Sequence, residues 1–371
     1  MKIGLMIIIG IFLSLFFLFG NANKQPDEKE GVMNRTEILE LLKKTVPEKR
    51  KVIYLAGGCF WGVEGYFQRL EGVMETRVGY ANGAWENPSY EEVIRDSGHA
   101  ETAQVAYDES VISLEEIVLH FLRIVDPFSI NKQGNDVGVQ YRSGIYFTNE
   151  EQARRARRVI GFFEEREGRK TAIEILPLQG YWDAEDYHQD YLGKNPYGYC
   201  HIPLSKASDP LFSFPMTMDD SEEALRVRIG ELAFQVTQNE ATERPFTSDL
   251  LGEYGRGIFV DIVSGQPLFS SNDKYDAQSG WPSFTRPIEA RVLSYVQDHS
   301  LGMSRIEIRS QQANAHLGHV FSDGPKDKGG LRYCVNGVAL RFIPYENMEE
   351  EGYGPYRILV DLTLSSEPIV P

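Results

Sequence analysis

Cysteine is scarce: the 371 residues hold only Cys59, Cys200 and Cys334. Three thiols so far apart cannot staple a small secreted scaffold, and they rule out a four-cysteine zinc site. Basic residues are in deficit too, leaving a net charge of −16 at pH 7. That balance argues against nucleic acid or an anionic membrane surface as partner. What remains is ordinary for soluble globular protein, with 42% hydrophobic and 25% charged residues, in a length that suits two domains.

The N-terminus departs from that average. Lys2 precedes an uncharged run from Ile3 to Phe19, followed by Gly20-Asn21-Ala22. A charged start, an apolar run and a small-x-small site make 1–22 a signal peptide or membrane anchor. The small-residue site favours cleavage after Ala22 over a retained span. No cysteine lies near it, which excludes a lipoprotein anchor. The expected location is therefore exported, periplasmic or membrane-anchored, facing outside the cytoplasm. Residues 23–50 read as a polar linker with a short helical stretch, Thr36 to Leu42. A first domain is expected over 51–206, a second linker over 207–220 and a second domain over 221–371.

Cys59 stands in Gly57-Gly58-Cys59-Phe60-Trp61-Gly62, directly after the apolar run Val52 to Ala56. Phe60, Val63, Phe67 and Leu70 recur at helical spacing. The pattern predicts strand, glycine turn and helix, with Cys59 at the helix N-terminus. Free backbone N–H groups and the positive end of the helix dipole favour a thiolate there. The alternative is a buried structural cysteine; the position beside glycines at a helix start favours a nucleophile.

The rest of the first domain mixes strands and helices, which predicts an α+β fold with helices against a mixed sheet. Ala103 to Tyr107 and Ala172 to Leu176 read as strands. Ser113–Glu116 and Thr148–Glu151 read as capping boxes that open helices. Four further stretches stand out: Asn87-Pro88-Ser89-Tyr90, Gly98-His99-Ala100-Glu101, Gln133-Gly134-Asn135-Asp136 and Gln140-Tyr141-Arg142-Ser143. Each is bland alone, since a loop glutamate is usually solvated and a tyrosine usually core or rim.

With the Cys59 stretch, these four in order closely resemble the A-type peptide methionine sulfoxide reductases across the whole first domain. The resemblance implies that Cys59 attacks the sulfoxide sulfur while Phe60 and Trp61 hold the S-methyl group. Glu101, helped by Tyr90 and Tyr141, would bind and protonate the sulfoxide oxygen, and Asp136 would contact the substrate's backbone amide. The residue types suit that chemistry. A sulfoxide oxygen leaves only once protonated, and a carboxylic acid kept neutral by burial can supply the proton. The sulfenic acid left on Cys59 condenses with a second thiol. The turn-rich stretch Asn195 to His201 is similar to the family's resolving loop, which makes Cys200 that thiol. His188 matches family residues and is assigned a structural role.

Beyond a helix expected from about Ser221 to Leu232, alternating apolar residues and frequent Pro and Gly predict a mainly antiparallel β domain. In Leu331 to Asn336, period two places Leu331, Tyr333 and Val335 on one face and Arg332, Cys334 and Asn336 on the other. The pair His316 and His319 has no further ligands at zinc spacing, so no metal is expected. Thr237-Gln238, Thr242 to Phe246, Ser264 to Phe269, Gly280 to Phe284, His316 to His319 and Arg332 to Asn336 together resemble the B-type methionine sulfoxide reductases. Carried over, Cys334 is the nucleophile and Trp281 holds the methyl group. His316, His319 and Asn336 handle the oxygen, and Arg332 supports the thiolate.

The resemblance as a whole implies a bifunctional enzyme, S epimer in the first domain and R in the second, repairing free or protein-bound methionine sulfoxide. It implies no bound cofactor, only an external thiol reductant such as a thioredoxin-like protein. One departure matters: Ser279 stands where many zinc-free relatives place a resolving cysteine. That leaves an alternative for the second domain, a slow enzyme or an inactive sulfoxide-binding module. Two rivals remain for the chain, a cysteine hydrolase with His99 or His188 as base and a non-enzymatic reader of oxidised methionine.

Overall fold

The computed structural model describes residues 32–33, 49–95, 97–219, 221–302 and 304–361. The expected signal segment, and the helical stretch Thr36 to Leu42, lie outside the described residues.

The first domain is built on a six-stranded mixed sheet. Its strands run in the order Glu174–Pro177, Ser143–Phe147, Arg50–Gly57, Ala100–Asp108, Val73–Ala81 and Tyr181–Asp183. Arg50–Gly57 lies antiparallel between Ser143–Phe147 and Ala100–Asp108. Ser143–Phe147 pairs in parallel with Glu174–Pro177, joined through the helix Glu150–Glu167. A parallel pair needs such a crossover, because a tight turn cannot bring the chain back to the same end.

Helix caps follow side-chain chemistry, with one shift from expectation. Ser113 and Glu116 form the expected capping box at Leu114–Ile124. At the next helix the cap falls one residue later than Thr148. Asn149 Oδ1 accepts from the Gln152 N–H at 3.0 Å, and Gln152 Oε1 accepts from the Thr148 N–H at 2.9 Å. Asparagine caps at least as well as threonine, and glutamine can stand in for glutamate.

The second domain is mainly antiparallel. A seven-stranded sheet runs Val32–Met33, Leu293–Asp298, Arg305–Ser310, His316–Phe321, Arg332–Val335, Ser283–Phe284 and Lys274–Tyr275. A second sheet holds Pro267–Ser270, Gly257–Asp261 and Leu340–Pro344. The single helix expected from Ser221 is two, Glu222–Ile229 and Glu231–Asn239, broken at Gly230. Gly230 has φ 85°, a conformation that costs glycine nothing and ends a helix.

One apolar cluster runs through both domains, from Ile53 and Phe121 to Ile258 and Tyr333. Each fully buried side chain of this kind contributes about 1.5–3 kcal/mol. The stretch between the domains is packed: Ala207 and Leu211 are buried, and Phe212 and Phe214 lie against the same cluster. Across the join, Glu116 Oε1 accepts from the Ala290 N–H at 3.2 Å and Glu289 Oε2 from the Leu211 N–H at 2.8 Å.

Candidate active sites

The first site begins at the turn out of Arg50–Gly57. Gly58 takes φ 81°, and a Cβ there would lie 2.5 Å from Gln133 Cβ, so no other residue fits. The turn sets Cys59 as N-cap of the helix Phe60–Phe67, with φ −57° and ψ 116°. The Phe60 N–H donates to Glu101 Oε2 at 3.1 Å, which draws the carboxyl group to the cysteine turn. Glu101 is only 2% exposed, and burial pushes it up to about 8. The carboxyl group is therefore mostly protonated at neutral pH.

The expectation of a stabilised thiolate at Cys59 needs correction. The backbone N–H groups of Trp61 and Gly62 do lower its pKa, as a helix start should, but burial and the charge of Glu101 push the thiol up further. The desolvation cost exceeds the benefit of the helix N-terminus. Protonation of Glu101 removes one of those two opposing effects.

Aromatic rings wall this site. Trp61 stacks on Tyr191 at 3.7 Å, and its indole N–H donates to His188 Nδ1 at 3.1 Å. Phe60 and Tyr90 pack on the same imidazole at 5.1 and 4.9 Å. Tyr141, on the short turn Val139–Tyr141, hydrogen-bonds to Tyr90. Burial raises both phenols, and the Glu101 charge adds to it. Asp136 sits beside the Cys200 loop: the Tyr199 hydroxyl donates to its Oδ2 at 3.3 Å, and His201 Nδ1 is 3.4 Å away. Cys200 is free, and its sulfur donates to the Ile202 carbonyl at 3.2 Å. The fold thus brings Cys59, Phe60, Trp61, Tyr90, Glu101, Asp136, Tyr141 and Cys200 to one end of the sheet.

The second site lies on the strand Arg332–Val335. Tyr333 and Val335 are buried in the core, while Arg332 and Cys334 face the other way. Cys334 pairs across the sheet with His319 on one side and Ser283 on the other. Ser279 Oγ is 3.8 Å from its sulfur. Burial raises the Cys334 thiol, opposed by the Ser279 hydroxyl and the Arg332 guanidinium. Arg332 is held by Asp323 through two hydrogen bonds of 2.8 and 2.9 Å. The Trp281 indole donates to the Glu243 carbonyl at 3.2 Å.

The strand ends at Val335, and Asn336, one residue beyond it, is buried with its carboxamide on backbone groups. Its Oδ1 accepts from the Glu243 N–H and its Nδ2 donates to the Leu317 carbonyl, both at 3.0 Å.

The sequence profile of the family described as peptide methionine sulfoxide reductase matches residues 51–216, and that of the SelR domain matches 229–344. Among solved structures, the chain is similar to reduced Mxr1 from Saccharomyces cerevisiae. Identity is 38%, over 43% of this chain and 95% of that one, with a TM-score of 0.40. It is similar also to methionine sulfoxide reductase A of Corynebacterium diphtheriae, 39% identical over 41% of this chain and 78% of that one, TM-score 0.39. A third is the yeast Mxr1 in complex with Trx2, 30% identical over 40% and 91%, TM-score 0.29. The chain belongs to the peptide methionine sulfoxide reductases. Its first domain is of the A type and its second of the B type, and the enzyme reduces methionine sulfoxide.

Several residues of this reductase escaped the sequence. Glu307 Oε1 is 2.6 Å from His316 Nδ1, and Asp298 Oδ2 is 2.8 Å from His319 Nε2. Each carboxylate fixes the orientation and tautomer of its imidazole. Hydrogen bonds from His316 and Arg309 hold Glu307 below its usual range in spite of burial; Ser300, His319 and Arg305 do so for Asp298. Glu307 lies on the strand next to the histidines and Asp298 on the one beyond it, so no local motif announces them. His188 is the hub of the aromatic wall, in contact with Phe60, Trp61, Tyr90 and Tyr187. Tyr199 and His201, flanking Cys200, reach Asp136 only because the chain returns over the first site.

Proposed function

We propose that the first domain reduces the S epimer of methionine sulfoxide and the second the R epimer, each through a cysteine sulfenic acid. The observation that carries this is Glu101, a buried carboxylic acid raised to about 8, placed at the turn that carries the free thiol of Cys59. Cys59 attacks the sulfoxide sulfur while Glu101 gives its proton to the oxygen, with Tyr90 and Tyr141 donating beside it. Oxygen passes to the cysteine, leaving methionine and a sulfenic acid. Phe60 and Trp61 hold the S-methyl group by apolar contact, and Asp136 accepts from a backbone amide of the substrate. Cys200 then condenses with the sulfenic acid, releasing water and forming a disulfide that a thioredoxin-like dithiol reduces.

In the second domain Cys334 plays the nucleophile and Trp281 holds the methyl group. His316 and His319 handle the oxygen, oriented by Glu307 and Asp298. Asn336 keeps one amide hydrogen for the oxygen, since the carboxamide has two and Leu317 takes one. Arg332 favours the thiolate. Ser279 beside Cys334 favours a second reading of this domain, as a slow enzyme or a sulfoxide-binding module, because a hydroxyl cannot resolve a sulfenic acid. Export remains part of the proposal, resting on the composition of residues 1–22. The substrates are then oxidised proteins or free methionine sulfoxide outside the cytoplasm.

Turnover of S- and R-methionine sulfoxide, measured separately with dithiothreitol and with a thioredoxin-like donor, tests the division of labour. Cys59→Ser should abolish S-epimer reduction and spare the R epimer, and Cys334→Ser the reverse. Loss of both activities from either change in a folded protein would reject two independent sites. Binding of R-sulfoxide without turnover by the second domain would favour the module.

A further inference from the structure

The Cys200 loop packs on the first site, with the carboxylate of Asp136 between Tyr199 and His201. Tyr199 donates to Asp136 Oδ2 at 3.3 Å from one side of Cys200. On the other side the His201 ring is wedged into space left by two glycines. A Cβ on Gly134 would lie 3.2 Å from His201 Cβ, and one on Gly58 would lie 3.3 Å from its Cε1. Neither ring nitrogen has a hydrogen-bond partner among the described residues, so packing and the nearby Asp136 hold the ring in place. Between these two anchors the Cys200 sulfur packs on Gly62, whose added Cβ would lie 3.2 Å from it. The thiol donates to the Ile202 carbonyl, and burial pushes its pKa up, which disfavours the reactive thiolate.

Covered in this way, the Asp136 side chain is only 18% exposed. A substrate amide that donates to Oδ2 competes with Tyr199 and crowds His201, which both lie against that oxygen. We propose that Asp136 is a shared anchor: it latches the Cys200 loop in the empty enzyme, and a substrate backbone that takes the carboxylate releases the loop. Tyr199 and His201 are then positioning residues that keep the second thiol parked until substrate has arrived. This rests on the assignment of Asp136 to the substrate amide made above. The coupling has a chemical purpose. A resolving thiol free to roam before oxygen transfer would meet oxidants or other thiols in its surroundings, whereas one released by substrate is mobile only when a sulfenic acid is about to form.

The test uses the full chain carrying Cys59→Ser and Cys334→Ser, in which Cys200 is the one remaining thiol, and reads its alkylation by iodoacetamide. The probe is N-acetyl-methionine N-methylamide, which offers backbone amides and cannot react. Saturating probe should speed alkylation about tenfold, the factor expected for loss of one hydrogen bond to a charged group. Tyr199→Phe and, separately, His201→Ala should raise the probe-free rate toward that level and blunt the response to probe. A merely structural role for these residues would raise the rate without removing the response. Slower or unchanged alkylation with probe, or variants that respond like the parent, would overturn the latch. Asp136→Asn separates the two ideas through KM for the S-sulfoxide of N-acetyl-methionine N-methylamide. If KM rises in that variant and the probe has no effect on alkylation, the latch alone falls; if KM is unchanged, the assignment beneath it falls as well.

Discussion

Ser279 Oγ lies 3.8 Å from Cys334 Sγ. A hydroxyl stands within reach of Cys334, where the proposed chemistry would need a thiol. Serine cannot form a disulfide, so the sulfenic acid proposed on Cys334 would need an external thiol or delivery of Cys200 from the other domain. The Cys200 loop is engaged with the first site, through Asp136 and Gly62, which favours the external route. Ser279→Cys should therefore raise the thioredoxin-driven rate for R-sulfoxide, on the order of 10²-fold if the new thiol acts at millimolar effective concentration. The first turnover should not change. Rapid-quench and steady-state assays compare the two; an unaltered steady-state rate would count against regeneration as the limiting step.

Cys200→Ser should leave one turnover of S-sulfoxide intact and collapse cycling with a protein donor. The oxidised variant should lack a Cys59–Cys200 disulfide on peptide mapping. R-sulfoxide reduction should be unaffected. If R-epimer cycling stops instead, Cys200 crosses between domains and the external route is wrong.

Glu101 gives a pH dependence of known sign. Burial raises its pKa to about 8, so the proton it donates is present below that value and lost as pH rises through it. Single-turnover reduction of the S epimer should fall across that range. Glu101→Gln should slow the step by about 10²- to 10⁴-fold and erase the descending limb. A limb that survives in this variant would assign the proton to another group, the Tyr90–Tyr141 pair being next in line.

Residues 1–30 fused to a reporter active only outside the cytoplasm should direct its export. Reporter activity confined to the cytoplasm would overturn the proposed location and remove the need for an exported reductant.

What the sequence determined by itself was local. The glycine turn before Cys59 follows from one steric fact at Gly58, and the period of two over Leu331–Val335 follows from the pleat of a strand. The α+β class and the Ser113–Glu116 cap were legible because the residues that make them are contiguous in the chain, and the two proposed nucleophiles stand in equally local motifs. Tertiary structure decided whatever depends on distant partners. The helix start at Cys59 argues for a thiolate, yet burial and Glu101 outweigh it, and burial is a property of the whole packed domain. Asn336 lies just past the strand, and its carboxamide is fixed by the Glu243 N–H and the Leu317 carbonyl, both far away in the chain. The carboxylates on His316 and His319 are set by pairing between strands, and Tyr199 and His201 meet Asp136 only where the chain folds back. Local patterns report backbone conformation, fixed by neighbours a few residues away; protonation and orientation are fixed by what closes over a group once the core has formed.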